Sequence, residues 1–131
     1  MWSQKHSASI LTWQYIDSMN LEQLRHYCLS KADTKETLPF GPDTVVYTVR
    51  DKAFALTGLD SERPRVNLKC DPDYAVELRE QYTGIIPGWH MNKKHWNTVY
   101  LDEDVKDKII RELIDHSYDM VLAKMPKPKK K

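Results

Sequence analysis

Three short segments of alternating apolar and polar residues follow one another between positions 44 and 70. They cover 44–50, 52–59 and 65–70; Asp51 and Lys52 connect the first two, and a polar loop connects the last two. Successive strands with such short connections are typical of an antiparallel sheet that has one face on the core and one toward solvent. The residues predicted to face the core are Val45, Tyr47, Val49, Val66, Leu68 and Cys70.

Helix signals stand on both sides of this strand region. Asn20 and Gln23 have the spacing of a capping box, and Asp71, which precedes a proline, marks a second helix start. Asp102 is predicted to cap a third helix and Ser117 a final short one. The pattern predicts an α+β fold: a two-layer sandwich in which helices pack on one face of a mainly antiparallel sheet.

Length and composition indicate a single globular domain. The chain has 131 residues, of which 40% are hydrophobic and 30% charged, as in ordinary globular proteins. Its longest apolar runs are far too short to span a membrane, and it carries no secretory signal, so we expect a cytoplasmic protein without a membrane partner. In that compartment Cys28 and Cys70 are predicted to be reduced, buried thiols.

The net charge of +1 conceals an uneven distribution of charged residues. Five of the twenty basic residues lie in the last eight positions, which contain no acidic residue. Residues 1–123 therefore carry fifteen basic and nineteen acidic residues, a net charge of −4. Because affinity for a phosphate backbone comes mainly from cations that displace counterions, nucleic-acid binding would need a local basic patch together with the tail.

Such a patch is predicted in the stretch 84–101, which holds two Trp, two His, two Lys and a Tyr and no carboxylate. Lysines supply charge for phosphates, whereas Asn and exposed aromatic side chains offer hydrogen bonds and stacking to bases. The strand at 65–70 adds an Asn and a Lys at alternate positions. The candidate nucleic-acid-binding residues are Asn67, Lys69, Lys93, Lys94, His95, Trp96 and Asn97.

A purely structural explanation of the same stretch stays open. Trp89 and Trp96 could be core residues and the lysines an ordinary solvated loop, because four cations form a small footprint for phosphates. No catalytic residue, metal or cofactor is predicted. His90 and His95 lack the helical spacing of a zinc pair, both cysteines fall on apolar faces, and the chain has no Gly-rich phosphate loop.

Six segments of the chain are similar to parts of a known family. They read LEQLRHYCLS, ETLPFG, KAFAL, VNLKCDPDYAVELREQY, GWHMNKKHWNTVYLD and IDHSYDMV, and they run from about Met19 to about Lys124. Together they resemble the MmcQ/YjbR-like family. The resemblance implies a compact frataxin-like (CyaY-like) α+β domain with two hairpin-like projections, a double wing. It also implies a DNA-binding protein, a function assigned to the family largely by analogy of fold.

We therefore expect three parts in the chain. Residues 1–18 form an N-terminal extension that is poorly ordered or a short helix, 19–124 form one domain, and 125–131 form a disordered basic tail. The first functional hypothesis is a small non-enzymatic protein that binds nucleic acid weakly and in a salt-dependent way. The alternative is a protein-interaction or small-ligand module whose aromatic face binds an acidic protein or a planar ligand. The sequence leaves the oligomeric state undetermined.

Overall fold

A computed structural model of the protein describes residues 19–125. The predictions for residues 1–18 and for the tail beyond Met125 lie outside the described residues. Within them the chain forms three helices and six strands. In chain order these are α1 (Leu21–Leu29), β1 (Thr34–Thr37), β2 (Thr44–Val49), β3 (Lys52–Gly58), β4 (Arg65–Lys69), α2 (Pro72–Gln81), β5 (Ile85–Pro87), β6 (Trp96–Tyr100) and α3 (Asp107–Ala123).

The strands of the described chain form one antiparallel sheet in the order β1-β2-β3-β4-β6-β5. The predicted hairpin joins β2 to β3, but its turn residues are Arg50 and Asp51, one position earlier than expected. Both have positive φ, 49° and 69°, as a type I′ hairpin turn requires. The antiparallel arrangement predicted from the short connections is confirmed.

The helices of the described chain pack on one face of this sheet, because their apolar residues share a single core cluster with the inward-facing strand residues. This is the predicted two-layer α+β sandwich. Burial of these side chains removes apolar surface from water and is the main favourable contribution to folding. The cluster includes Leu24, Cys28, Val49, Phe54, Val66, Leu68, Ala75, Leu78, Val99, Ile110 and Ile114.

The start of α3 differs from the prediction that Asp102 caps it. The helix begins at Asp107, and its N-cap residue makes no side-chain capping hydrogen bond. Asp102 instead accepts a hydrogen bond from Arg63 at 3.0 Å. Asp104 accepts hydrogen bonds from the two backbone N–H groups that precede β5, at 2.9 and 2.8 Å. These carboxylates fix the loop before α3 to neighbouring loops. In the sequence, carboxylates with this role look the same as carboxylates that start a helix.

Ser117 does not cap a separate short helix, contrary to the prediction. It lies fully buried in the middle of the continuous helix α3. Its hydroxyl donates to the carbonyl of Phe54 at 2.6 Å and accepts from the N–H of Lys69 at 2.9 Å. Phe54 and Lys69 would be the next pair of residues in the β3–β4 register after Ala55 and Leu68. The Ser117 hydroxyl therefore replaces a direct hydrogen bond between the two strands and joins α3 to the sheet.

Candidate binding face of the sheet

The face of the sheet opposite the helices, the open face, carries several of the predicted ligand-binding residues. The register of β4 and β6 pairs Asn67 with Thr98 and Lys69 with Trp96. Directly opposed residues of an antiparallel pair project from the same face. Val66, Leu68 and Val99, which alternate with them along the strands, belong to the core cluster. Asn67, Lys69 and Trp96 therefore share the open face, as the alternation in the sequence predicts.

The β5–β6 loop (residues 88–95) folds over the open face and is held there by three hydrogen bonds. The Trp89 N–H donates to the Thr98 hydroxyl at 2.9 Å, and this hydroxyl donates to Asn67 Oδ1 at 2.6 Å. Asn67 Nδ2 then donates to the Trp89 carbonyl at 3.5 Å. Asn67 thus uses both ends of its amide to hold the loop. It therefore supports the loop and keeps one acceptor site and one N–H for a ligand.

Trp89 is the most prominent side chain of this loop, with 49% of its surface exposed. The Arg65 guanidinium lies 4.3 Å from the centroid of its ring, and the His90 ring centroid lies 4.3 Å from it. A cation stacked on an exposed indole is a geometry that proteins use for nucleic-acid recognition. Arg65 was absent from the predicted set, although the alternation of Asn67 and Lys69 along β4 places it on the same face.

The second half of the loop presents Lys93 and Lys94 to solvent. The Lys94 N–H donates to the Asn92 side chain at 2.9 Å, which closes a local turn. Lys93 Nζ donates to the Gly88 carbonyl at 3.3 Å. Within residues 19–125, neither ammonium has a carboxylate partner within 4.0 Å. The two lysines therefore present positive charge that the described chain does not neutralise locally.

Lys69 lies at the end of β4, where Trp96 and Lys124 are close by. Its Nζ is 6.0 Å from the centroid of the partly buried Trp96 ring. Burial lowers the pKa of Lys69, and the positive charge of Lys124 lowers it further. Lys124, the first of the five C-terminal lysines, is therefore close enough to Lys69 for the two charges to interact.

His95 and Asn97 contribute to the structure behind the surface. His95 is partly buried; its carbonyl accepts from the Cys70 N–H at 2.8 Å, and its Nδ1 is buried without a partner among the described residues. Asn97 is only 2% exposed and lies on the helix side of β6. There its Oδ1 accepts from Arg79 Nε at 2.7 Å. This corrects the inclusion of Asn97 in the binding surface, because its side chain points away from the open face.

Arg79 of α2 connects this buried side of β6 to the loop. Besides Asn97, its guanidinium donates to the backbone carbonyls of Lys93 and Trp96. One side chain therefore fixes the position of the backbone that carries the two exposed lysines. No simple signal in the sequence identifies this role, since Arg79 stands among other charged residues of a predicted helix.

The rest of the open face forms a groove over β2 and β3, which we call the β2–β3 groove. Its floor is Val46, Ala53 and Leu56, with Thr44 and Thr48 beside them. Pro39 and Phe40 of the β1–β2 loop bound one side, and His90 and Met91 bound the other. The groove has a volume of about 660 Å³, within the range of small-molecule sites. No local sequence pattern indicates this groove, because its two walls are 50 residues apart in the chain.

The remaining reactive groups lie inside the fold. Cys28 and Cys70 are buried, as predicted. Burial raises the pKa of the Cys28 thiol to about 12 and that of Cys70 to about 11, so neither is activated as a nucleophile. Among residues 19–125, no three His, Cys, Asp or Glu side chains are grouped so that they could hold a metal ion. None of the helices in this part of the chain has the length and apolarity to cross a membrane.

These features define a class: a small α+β domain whose open sheet face is half covered by a basic, aromatic loop and half occupied by a groove. Residues 29–120 match the sequence model of the YjbR family. The Escherichia coli K12 protein YjbR, which is described as uncharacterized, is 34% identical over 113 residues, covering 86% of this chain and 96% of YjbR. YbdF of E. coli O157:H7, also described as uncharacterized, is 38% identical over 89 residues, covering 68% of this chain and 73% of YbdF.

Solved structures agree with this assignment. The crystal structure of the Deinococcus radiodurans protein DR2400, which contains a DUF419 domain, matches with a TM-score of 0.79 and 36% identity over 84% of each chain. A crystal structure of a Pseudomonas syringae protein matches with a TM-score of 0.69 and 34% identity, covering 78% of this chain and 98% of that one. The chain belongs to the YjbR family, which confirms the resemblance found in its sequence.

Proposed function

We propose that the protein is a non-enzymatic binding protein that holds single-stranded nucleic acid weakly on the open face of its sheet. One observation carries the proposal: cations and indole rings alternate on this face, and within residues 19–125 none of the cations has a carboxylate within 4.0 Å. Together they form what we call the cationic surface: Arg65, Lys69, Trp89, Lys93, Lys94 and Trp96.

The geometry favours a single strand over a duplex. Exposed aromatic rings beside cations can stack on unpaired bases, whereas the bases of a duplex already stack on one another. Trp89 offers such a ring, and Arg65 stacked on it supplies a charge for the adjacent phosphate. The net charge of −4 in residues 1–123 opposes binding at long range, so we expect low affinity and a strong dependence on salt.

Fluorescence anisotropy with a labelled single-stranded oligonucleotide, and with the matching duplex, across a salt series tests the proposal. Four phosphate contacts on a single strand predict a slope of log K against log salt of about −3. The double variant Lys93→Glu/Lys94→Glu should lose most of the affinity. The control is Lys106→Glu/Lys108→Glu, which makes the same change in net charge at exposed positions at the start of α3, on the helix side of the sheet.

The two double variants decide between a specific surface and a general charge effect. If Lys93→Glu/Lys94→Glu binds like the unmodified protein, the proposed surface is wrong. An equal loss in both variants would mean that net charge alone governs binding. Trp89→Ala should weaken binding of the single strand without changing the salt slope, because it removes stacking and no charge.

The alternative hypothesis, a small-ligand module with an aromatic face, is favoured by a different observation, the β2–β3 groove. Its apolar floor and side-chain walls have the character of a ligand site rather than of a phosphate-binding surface. The groove and the cationic surface adjoin each other through His90, which lines the groove and packs against Trp89 with its ring centroid 4.3 Å away. One ligand could therefore contact both.

A further inference from the structure

We propose that the β2–β3 groove is a binding site for one nucleobase, presented by a free nucleoside or nucleotide or by one residue of a strand. The placement of the phosphate rests on the proposed function, since the cations next to the groove would hold it. The site for the base itself depends only on the groove. A nucleobase is thus the ligand class that we assign to the part of the open face outside the cationic surface.

The apolar part of the groove suits a flat ring. Val46 and Ala53 form its apolar floor, and Val46 is only 3% exposed. Phe40 stands at the rim with 72% of its surface exposed. Its ring lines the groove, so it is accessible to a ligand that enters from solvent. A base lying on the floor of the groove would cover the Phe40 ring, and the stacking of the two rings would stabilise the complex.

The polar groups along the groove suit the edge of a heteroaromatic ring. Thr44 and Thr48 line it, and within residues 19–125 neither hydroxyl makes a side-chain hydrogen bond of its own. The Asp51 carboxylate stands at the hairpin end and is only loosely paired, with Lys35 Nζ at 3.8 Å. Hydroxyls that donate and accept, together with a carboxylate that accepts, match the mixed N–H and carbonyl edge of a nucleobase.

The neighbouring residues set the direction in which a nucleotide would lie. His90 forms part of the groove wall, its ring packs against that of Trp89 at a tilt of 48°, and the Arg65 guanidinium lies over the Trp89 ring. A base in the groove would therefore have its sugar and phosphate pointing past His90 toward the Arg65 guanidinium. His90 has a φ of 58°, a conformation that is uncommon for a residue with a side chain. It projects from the loop at the position where the groove meets the cationic surface.

Methyl-resolved NMR titration of the full chain with adenosine, guanosine, cytidine and uridine tests the groove without involving phosphate. We expect at least one nucleoside to shift the methyl signals of Val46, Ala53 and Met91 while those of core residues such as Ile110 stay unchanged. Phe40→Ala should weaken this binding about tenfold, the effect of losing one stacking contact. Leu59→Ala is the matched control, because Leu59 is likewise an exposed apolar residue, with 50% of its surface exposed, but lies outside the groove.

The outcomes separate this proposal from the proposed function. If oligonucleotides bind but no nucleoside shifts the groove methyls up to its solubility limit, the groove proposal is wrong and the cationic surface stands. If nucleosides bind with the expected shifts and oligonucleotides do not bind, the groove is a small-ligand site and the proposed function is wrong. Equal weakening by Phe40→Ala and Leu59→Ala would also refute the groove, because the effect would then be unspecific.

Discussion

Replacing Ser117 with alanine should destabilise the protein more than its small size suggests. The change removes a hydroxyl that is fully buried and that lies between the Phe54 carbonyl and the Lys69 N–H. Both backbone groups would lose a hydrogen-bond partner in a place where water does not reach. The two strands are already separated at this point, so they cannot pair directly without moving toward each other.

The magnitude follows from these two groups. A buried polar group left without a partner costs about 1–3 kcal/mol, so two of them cost about 2–6 kcal/mol. Alanine favours a helix over serine by about 0.5 kcal/mol, which offsets a small part. Partial closure of the strands offsets more, and we expect a net loss of about 2–4 kcal/mol in the free energy of unfolding. For a domain whose total stability is about 5–15 kcal/mol, this is a large fraction.

Urea denaturation followed by circular dichroism measures this loss, and the m-value should stay unchanged if only stability is affected. Ser30→Ala is the control: its hydroxyl also donates to a backbone carbonyl, at 2.6 Å, but it is exposed. Water can replace that hydrogen bond, so Ser30→Ala should cost well under half as much. Amide exchange should also become faster at Lys69 in Ser117→Ala. If the two serine variants lose the same small amount of stability, the Ser117 hydroxyl does not connect the two strands.

Two further predictions concern the loop and the thiols. Arg79→Met should keep the fold but make the amides of residues 92–96 exchange faster, because three hydrogen bonds to Asn97 and the loop carbonyls are lost; unchanged exchange there would mean that the loop holds its shape without Arg79. Cys28 and Cys70, whose pKa values are raised to about 12 and 11, should react with iodoacetamide at neutral pH only as fast as the protein unfolds, and rapid labelling of the folded chain would contradict their burial.

Much of the fold could be predicted because its signals are local. Alternation in β4 and β6 assigned the right residues to the core, and the capping residues of α1 and α2 act as expected: Asn20 accepts from the Gln23 N–H at 2.8 Å, and Asp71 from the Tyr74 N–H at 3.2 Å. The failures concern polar residues with distant partners. Asp102 is paired with Arg63, 39 positions away in the chain. A carboxylate before a helix has the same local sequence whether it caps the helix or contacts a remote loop.

The alternation of residues along the strands also carries information about the binding residues. Alternation along β6 places Asn97 beside Val99 in the core and Trp96 on the open face, so the sequence alone already argued against Asn97 as a ligand contact. By the same alternation Arg65 belonged with Asn67 and Lys69. The candidate binding residues were chosen by residue type. Their position along the strand, which determines the face of the sheet, would have been a better criterion.

The position of Phe40 is a different kind of failure, because no local pattern indicates it. In the sequence, the turn that carries Phe40 has no connection with the loop that carries His90, and only the sheet brings them to opposite sides of one groove. Neither loop could form this site alone, since each supplies one wall and β2 and β3 supply the floor. A change that shifts the β1–β2 loop should therefore alter the groove while leaving the cationic residues of β4 and of the β5–β6 loop in place, and this independence allows the two proposed binding surfaces to be tested separately.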